Sequence, residues 1–309
     1  MKISVVIPFY NRSEYLERTL STIVRQEYPV DSLILVDNCS SDDSCVVAEN
    51  FLKRHPQVSA QLIRCDKPGA AAARNAGLQR VTTDYVYFFD SDDEMSPHFL
   101  ADAADCMADA ACDLLVCRTS ILFEDGRTHV RDYGFSHMPS HQISTAFLST
   151  QSMVIRTDYL RKCGGWNESL FYWNDWELGV RLLLGSPVVK FMENKIYHTI
   201  HAHKDSITGN AYSAHVEDML KAFQAVRDDI LAGPETYRRK SLAALVKRQC
   251  IMAGKVRREG DRKGACRILQ HVETDSVSPG MRLLGRLLYC YTALGGRGHG
   301  GCDAVHVRI

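Results

Sequence analysis

The stretch Tyr85-Val86-Tyr87-Phe88-Phe89-Asp90-Ser91-Asp92-Asp93 decides the fold, because an apolar, aromatic run ends abruptly in three carboxylates within four residues. Five apolar positions in succession predict a strand buried on both faces of a parallel sheet. The acidic cluster then falls at the carboxyl end of that strand, where open α/β sheets bind ligands. Three carboxylates this close repel one another and raise each other's pKa unless a cation or a bound hydroxyl compensates them. A hard ion, Mg²⁺ or Mn²⁺, takes one or two protein oxygens and completes its sphere with phosphate oxygens and water. The competing reading makes Asp92 or Asp93 the cap of a helix beginning near Pro97. Placement directly after a buried strand favours the cation.

The surrounding sequence repeats the same alternation. Apolar β-branched runs predict strands at Ile3–Ile7, Leu33–Val36, Gln61–Cys65, Tyr85–Phe89 and Leu114–Cys117, separated by helical patterns at about 13–25, 42–54, 70–79 and 97–108. Such a βαβ succession implies a mostly parallel sheet sandwiched by helices. Residues 119–150 lose the rhythm, and from Ala211 onward only helical signal remains. The expected organisation is therefore a catalytic domain over 1–210, made of a nucleotide-binding half (1–118) and an acceptor-side half (119–210), followed by a helical C-terminal region over 211–309.

With 309 residues and 45% hydrophobic content, the chain can bury a large core. Its net charge is zero, yet residues 237–309 hold fifteen Lys and Arg against five Asp and Glu. The 11 cysteines are odd in number and include no CxxC pair, which argues against a zinc knuckle and a secreted disulfide framework and for a reducing cytosol. The first eight residues are too short and interrupted for a signal peptide, and no apolar run approaches a membrane span. These features give the expectation of a cytoplasmic protein.

Five segments together resemble family 2 glycosyltransferases, nucleotide-sugar-dependent inverting enzymes of the GT-A fold. Val5-Val6-Ile7-Pro8-Phe9-Tyr10-Asn11-Arg12 looks like the family's opening, and Leu35-Val36-Asp37-Asn38-Cys39-Ser40-Ser41-Asp42 is similar to its "VDDxSxD" segment with Asn38 in place of the second acid. Pro68 through Gly77 resembles its "GxxxARNxG" helix, Asp90-Ser91-Asp92-Asp93 its DxD-type motif, and Asn174-Asp175-Trp176-Glu177-Leu178 with Arg181 its "EDxxLxxR" segment. Together they cover roughly residues 1–210. Residues 211–309 are not covered.

The resemblance implies a set of roles. Pro8, lacking an N–H, is expected to end the first strand and leave Tyr10 and Asn11 in a loop beside the nucleotide. Asp37 would accept from a uracil-type N–H, Arg74 would bond the base or brace the carboxylates, and Asp90 would bind the ribose hydroxyls. Asp92 would ligate a divalent cation, Mn or Mg, with Asp93 as its neighbour. Asp175 is the expected general base, drawing a proton from an acceptor hydroxyl; Asn174 replaces the family's usual Glu beside it. Trp176, with Trp166 and Trp173, is a candidate for packing against a sugar ring, with core packing as the alternative. His198, His201 and His203 lack a sustained helical i, i+4 spacing, so a zincin-like site is not expected. The segment His203–Thr208 resembles the family's "HxxSxT", which makes His203 the expected phosphate or metal contact and His201 the second choice.

The expected partners are a nucleotide-sugar donor and a glycan or lipid-linked acceptor. Basic residues from Arg238 to Lys263, followed by leucines at 283, 284, 287 and 288, also suit peripheral contact with an anionic membrane, the alternative being that the stripe packs internally. Few aromatics accompany these charges, so nucleic acid is not an expected partner. A haloacid-dehalogenase-type phosphatase also places DxD after a strand, but after its first core strand, whereas three βα units precede it here. A Rossmann dehydrogenase is excluded because no GxGxxG follows the first strand. A catalytically lapsed scaffold or glycan-binding module rests on Asn174 alone.

Overall fold

The computed structural model describes residues 1–108, 112–131, 133–202, 211–272 and 277–296. Its strands are β1 (Ile3–Phe9), β2 (Ser32–Asp37), β3 (Ala60–Arg64), β4 (Tyr85–Phe88), β5 (Glu94–Met95), β6 (Leu114–Leu122), β7 (Thr128–Val130), β8 (Met153–Arg156) and β9 (Val189–His201). They form one sheet in the order β3-β2-β1-β4-β8-β6-β9-β5, with β7 paired to β6. The run β3-β2-β1-β4 is parallel throughout, and β6 also pairs parallel with β9. Antiparallel β8 joins the two parallel groups.

Helices α1 (Leu16–Val24), α2 (Ser44–Arg54), α3 (Ala70–Arg80) and α4 (Phe99–Met107) return the chain between the early strands. Alternation along each strand sends neighbouring residues to opposite faces. On one face Val5, Ile7, Leu33, Leu35 and Tyr87 join Leu16, Leu20, Phe51, Phe99 and Leu100 in the main core. The other face carries Val6 and Val36 against α3, where a Cβ on Gly77 would lie 2.3 Å from Val6 Cγ1. Both faces of these strands are thus covered, which is why their sequence is continuously apolar.

Pro8 does not end its strand. β1 runs through Phe9, with Pro8 in register with Val36. Val6 accepts from Phe89 N–H on the β4 side, so Pro8, two residues on, points its missing donor to the same side. There β4 has already stopped, its last paired residue being Phe88 against Val6. The proline costs no ladder bond.

The remaining helices are α5 (Pro139–Thr145), α6 (Thr157–Lys162), α7 (Asn174–Leu184), α8 (Val216–Ala232), α9 (Glu235–Arg258), α10 (Arg262–Gln270) and α11 (Pro279–Ala293). The chain divides into two compact units: the described residues of Met1–Asp132, Leu148–Phe171 and Pro187–Ala202, and those of Tyr133–Phe147, Tyr172–Ser186 and His203–Ile309. This division interleaves segments rather than making the single cut at residue 210 expected from the sequence. In the second unit α9 packs against α5, α8, α10 and α11. Its basic residues are therefore not all solvated: Arg248 and Lys255 are buried, Arg248 lying 4.6 and 4.7 Å from the rings of Trp173 and Trp176. No helix among the described residues is long and apolar enough to cross a membrane. The ten described cysteines are all free thiols.

Candidate active site

Parallel pairing of β1 with β2 and β4 brings three carboxyl ends to one edge of the first unit. Tyr10 and Asn11 follow β1, Asp37 ends β2, and Asp90 lies two residues beyond the end of β4. Tyr10 is exposed. Asn11 has a left-handed backbone (φ 49°), and its side-chain oxygen accepts from Ser41 N–H at 2.8 Å, tying the β1 loop to the β2 loop. Asp37 is buried and accepts from Ser40 N–H at 2.9 Å.

Asn38 explains its own departure from the family pattern. Its amide nitrogen donates to the carbonyls of Cys65 (3.0 Å) and Lys67 (2.7 Å), and its oxygen accepts from Gly69 N–H at 2.8 Å. A carboxylate could not donate either bond, so an acid here would set charge against two carbonyls. The residue fastens the β2 loop to the turn that opens α3.

Each carboxylate of the acidic cluster has a fixed partner. Arg74, buried on α3, donates to Asp90 Oδ1 at 2.8 Å and lies 4.5 Å from the Trp166 ring. Of the two roles expected for Arg74, bracing the carboxylates is the one this geometry provides. Arg12 Nε donates to Asp92 Oδ2 at 3.2 Å, and Arg18 donates to the Asp92 backbone carbonyl. Gln151 Nε2 donates to Asp90 Oδ2 at 2.7 Å and also to Asp93 Oδ2. Two arginines and an amide therefore do part of the compensation that the sequence reading gave to a cation or a hydroxyl.

Asp93 differs in that its hydrogen-bond partners, the Gln151 amide and a backbone N–H, are neutral. It is only 2% exposed and accepts from His201 N–H at 2.8 Å. Burial, and then the charges of Asp92 and Asp90, push its carboxyl well above the ordinary carboxylate range. The described residues contain no group of three His, Cys, Asp or Glu side chains arranged as a ready-made metal centre. The cluster nonetheless fits a hard divalent cation that draws its remaining ligands from phosphate, since its donors are carboxylate oxygens and Asp93 stays short of positive charge.

His198 and His201 lie on β9. His201 ends β9, with its ring 2.9 Å from Glu94 Oε1. His198 is 1% exposed, bonded through Nε2 to the Tyr87 hydroxyl at 2.9 Å and packed edge-on against Phe99 and Phe89. Burial alone lowers its pKa to about 3, so it is a neutral core histidine. His203 lies outside the described residues.

In the second unit, Trp173 takes a left-handed backbone (φ 58°) at the start of α7, and Asp175 falls in the first turn. Asp175 is half-buried, with Oδ1 accepting from the N–H of Trp176 at 2.8 Å. A carboxylate there meets the positive end of the helix dipole. Trp176 is not a sugar platform: it is 1% exposed, its ring packed among Trp173, Phe223 and Arg248 with the indole N–H donated to Ile143. Arg181 makes a bidentate pair with buried Glu177, at 2.7 and 3.1 Å. The last part of the "EDxxLxxR" resemblance is thus structural.

Arg12, Arg18 and Gln151 were not picked out from the sequence as site residues. Arg12 stands in a quoted motif and could have been found there. Gln151 lies just beyond the 119–150 region, in no quoted motif.

A parallel sheet with an acidic cluster at its carboxyl edge, completed by antiparallel strands, is the architecture of GT-A glycosyltransferases. Staphylococcus aureus TarS 1-349 in complex with UDP-GlcNAc superposes with a TM-score of 0.74 at 20% identity, over 95% of this chain and 88% of that one. The Pyrobaculum calidifontis mannosyltransferase PcManGT, in complex with GDP-Man and Mn²⁺, gives 0.60 at 18% identity over 94% and 85%. Residues 4–164 match the model of glycosyl transferase family 2, and the chain belongs to that family. The putative teichuronic acid biosynthesis glycosyltransferase TuaG of Bacillus subtilis is 31% identical over 124 residues, 40% of this chain and 49% of that protein. TarS, named a poly(ribitol-phosphate) β-N-acetylglucosaminyltransferase, is 29% identical over 120 residues, 38% of this chain and 21% of its own length. The matched segment thus spans half or less of these curated relatives. Membership of the family leaves no place for the phosphatase reading.

Proposed function

We propose that this chain transfers a sugar from a nucleoside-diphosphate sugar, UDP-type favoured, to a hydroxyl of a glycan or lipid-linked acceptor with inversion, in polysaccharide or glycoconjugate synthesis. The observation that carries the reading is the set of three carboxylates at the carboxyl edge, held by Arg12, Arg74 and Gln151. The nucleotide-sugar complexes of the two structural neighbours support the donor class, and the Mn²⁺ of the mannosyltransferase supports the cation.

In this reading the end of β1 at Pro8 and the loop with Tyr10 and Asn11, together with Asp37, hold the base, and Asp90, braced by Arg74, binds the ribose hydroxyls. Asp92 would hold Mg²⁺ or Mn²⁺, with Asp93 and His201 beside it and His203 as a further contact. A bound cation supplies neutralisation of the charge that develops on the diphosphate. Asp175 accepts the proton of the acceptor hydroxyl as that oxygen bonds to the anomeric carbon. The bond from the same carbon to the diphosphate oxygen breaks, and the diphosphate leaves with the electron pair. One in-line displacement inverts the configuration.

The test is turnover of a panel of UDP-, GDP- and dTDP-sugars with Mn²⁺ or Mg²⁺. Asp92→Asn should remove most activity while the fold, followed by circular dichroism, stays intact; full rate in that variant or under chelator refutes the cation role. Asp175→Asn should keep donor affinity and lower turnover by about 10²–10⁴-fold. Lost donor binding with an unchanged chemical step would instead make Asp175 a positioning residue. Absence of turnover with every donor, despite donor binding, is the result expected of a lapsed scaffold.

A further inference from the structure

Helix α11 is built inside out. A surface helix normally turns its large apolar residues to the protein and its polar ones to water. Here Leu283, Leu287, Tyr291 and Leu294 are 54–89% exposed, with Leu284 beside them at 38%. Positions 283, 287, 291 and 294 follow i, i+4, i+8 and i+11, so they share one face. The fully buried residues are small, Gly285 and Thr292, with Leu288 and Tyr289 only half-buried. A Cβ on Gly254 of α9 would fall 1.8 Å from Thr292 Oγ1, and one on Gly285 would fall 3.0 Å from Cys250 Sγ. The two helices therefore meet through glycines, and Leu283, Leu284, Leu287 and Leu294 stay outside.

Positive charge borders this face. Arg286 is exposed on α11 between Leu283 and Leu287, and Arg258 at the end of α9 lies beside Gly295, next to Leu294. Leucines and a tyrosine flanked by arginines, on a helix that does not span a bilayer, match an interfacial helix whose apolar side enters the headgroup boundary while its cations meet anionic lipid. We propose that the outward face of α11 docks on an anionic membrane surface. This goes beyond the catalytic reading and does not depend on it, because lipid binding is measured without a sugar donor. Four large side chains and two arginines make a small contact, so binding is reversible and salt-sensitive.

Co-sedimentation of the full chain with phosphatidylglycerol/phosphatidylcholine vesicles, and with pure phosphatidylcholine vesicles, at low and high salt tests the proposal. The wild type should bind the anionic vesicles at low salt and lose most of that binding at high salt. Leu283→Ser/Leu287→Ser, at exposed positions that leave the fold unchanged by circular dichroism, should weaken binding at least tenfold. Arg258→Gln/Arg286→Gln should weaken it severalfold on anionic vesicles only. No binding at low salt, or binding untouched by the leucine pair, overturns the proposal. So does a wild type that self-associates on gel filtration without sedimenting with vesicles while the leucine variant is monomeric, since the face would then be a protein interface.

Discussion

A single primary amide joins two carboxylates of the acidic cluster. Gln151 Nε2 has two hydrogens, and they go to Asp90 and Asp93, while the residue's backbone carbonyl accepts from the Tyr87 hydroxyl at 2.8 Å. The side chain is 3% exposed, so the bonds work in a low-dielectric setting where a lost partner is costly. Gln151→Ala should lower kcat/KM for the donor by about 10–100-fold, the loss of one or two buried hydrogen bonds to charged groups, without unfolding the protein. Gln151→Glu adds a fourth carboxylate, and its defect should shrink as divalent cation is raised, whereas that of Gln151→Ala should not. A Gln151→Ala enzyme with wild-type kinetics shows that the amide has no positioning role. The cluster of Asp90, Asp92 and Asp93 was legible in the sequence because it directly follows a buried strand, whereas Asp37 and Arg74 stood out only through motifs that resemble the family's. Gln151 was not legible, because it reaches the cluster through tertiary packing and no local pattern encodes that.

At the scale of elements, the parallel strands were legible because burial on both faces imposes continuous apolar runs, and the first four βα units fall close to where the sequence put them. One reading failed for a reason of pairing, and another stayed open for want of direction. The expected stop at Pro8 ignored that a proline costs nothing on the side where the neighbouring strand has ended. The leucine stripe of α11 was visible, but periodicity reports only that a face exists and not which way it turns. Gly77 shows the opposite case, a local residue that sets an interlayer distance. With a Cβ 2.3 Å from Val6 Cγ1 and 3.2 Å from Val36 Cγ2, α3 could not stay at its present distance from β1 and β2. Gly77→Ala should destabilise the protein by about 1–3 kcal/mol, the usual cost of overpacking, as read by denaturant midpoint at unchanged m-value. Because α3 carries Arg74, the same variant should also raise the donor KM. An unchanged midpoint would mean that the sheet and helix separate freely, against the close packing seen here.

Across the whole molecule, the two compact units carry titrating groups of opposite sign. In the first, the pKa of His198 lies at about 3 against a reference of 6.5, because the ring is buried among Tyr87, Phe89, Phe99 and Tyr197. The unfolded chain then binds the extra proton between those values, so this unit loses stability as pH falls below about 6.5, by at most about 1.4 kcal/mol per pH unit. In the second, Asp229 is raised from 3.8 to about 7, first by burial and then by Glu177, with Arg181 pulling the other way and Asp228 adding to the rise. Here the folded state binds the extra proton, so stability is full below about 4 and is lost as pH rises towards 7. Acidification should therefore weaken the contribution of His198 and strengthen that of Asp229. Asp229→Asn, which mimics the protonated acid, should raise Tm at pH 7.5 and make no difference at pH 4. His198→Gln should cost stability at pH 7.5 by disturbing the aromatic cluster, but its deficit should shrink on acidification because the variant has no proton to take up. Calorimetric scans of the three proteins between pH 4 and 7.5 decide the matter. An Asp229→Asn gain that is the same at both ends of that range would mean that Asp229 is not protonated in the folded protein, and a constant His198→Gln deficit would mean that the ring is charged in its core.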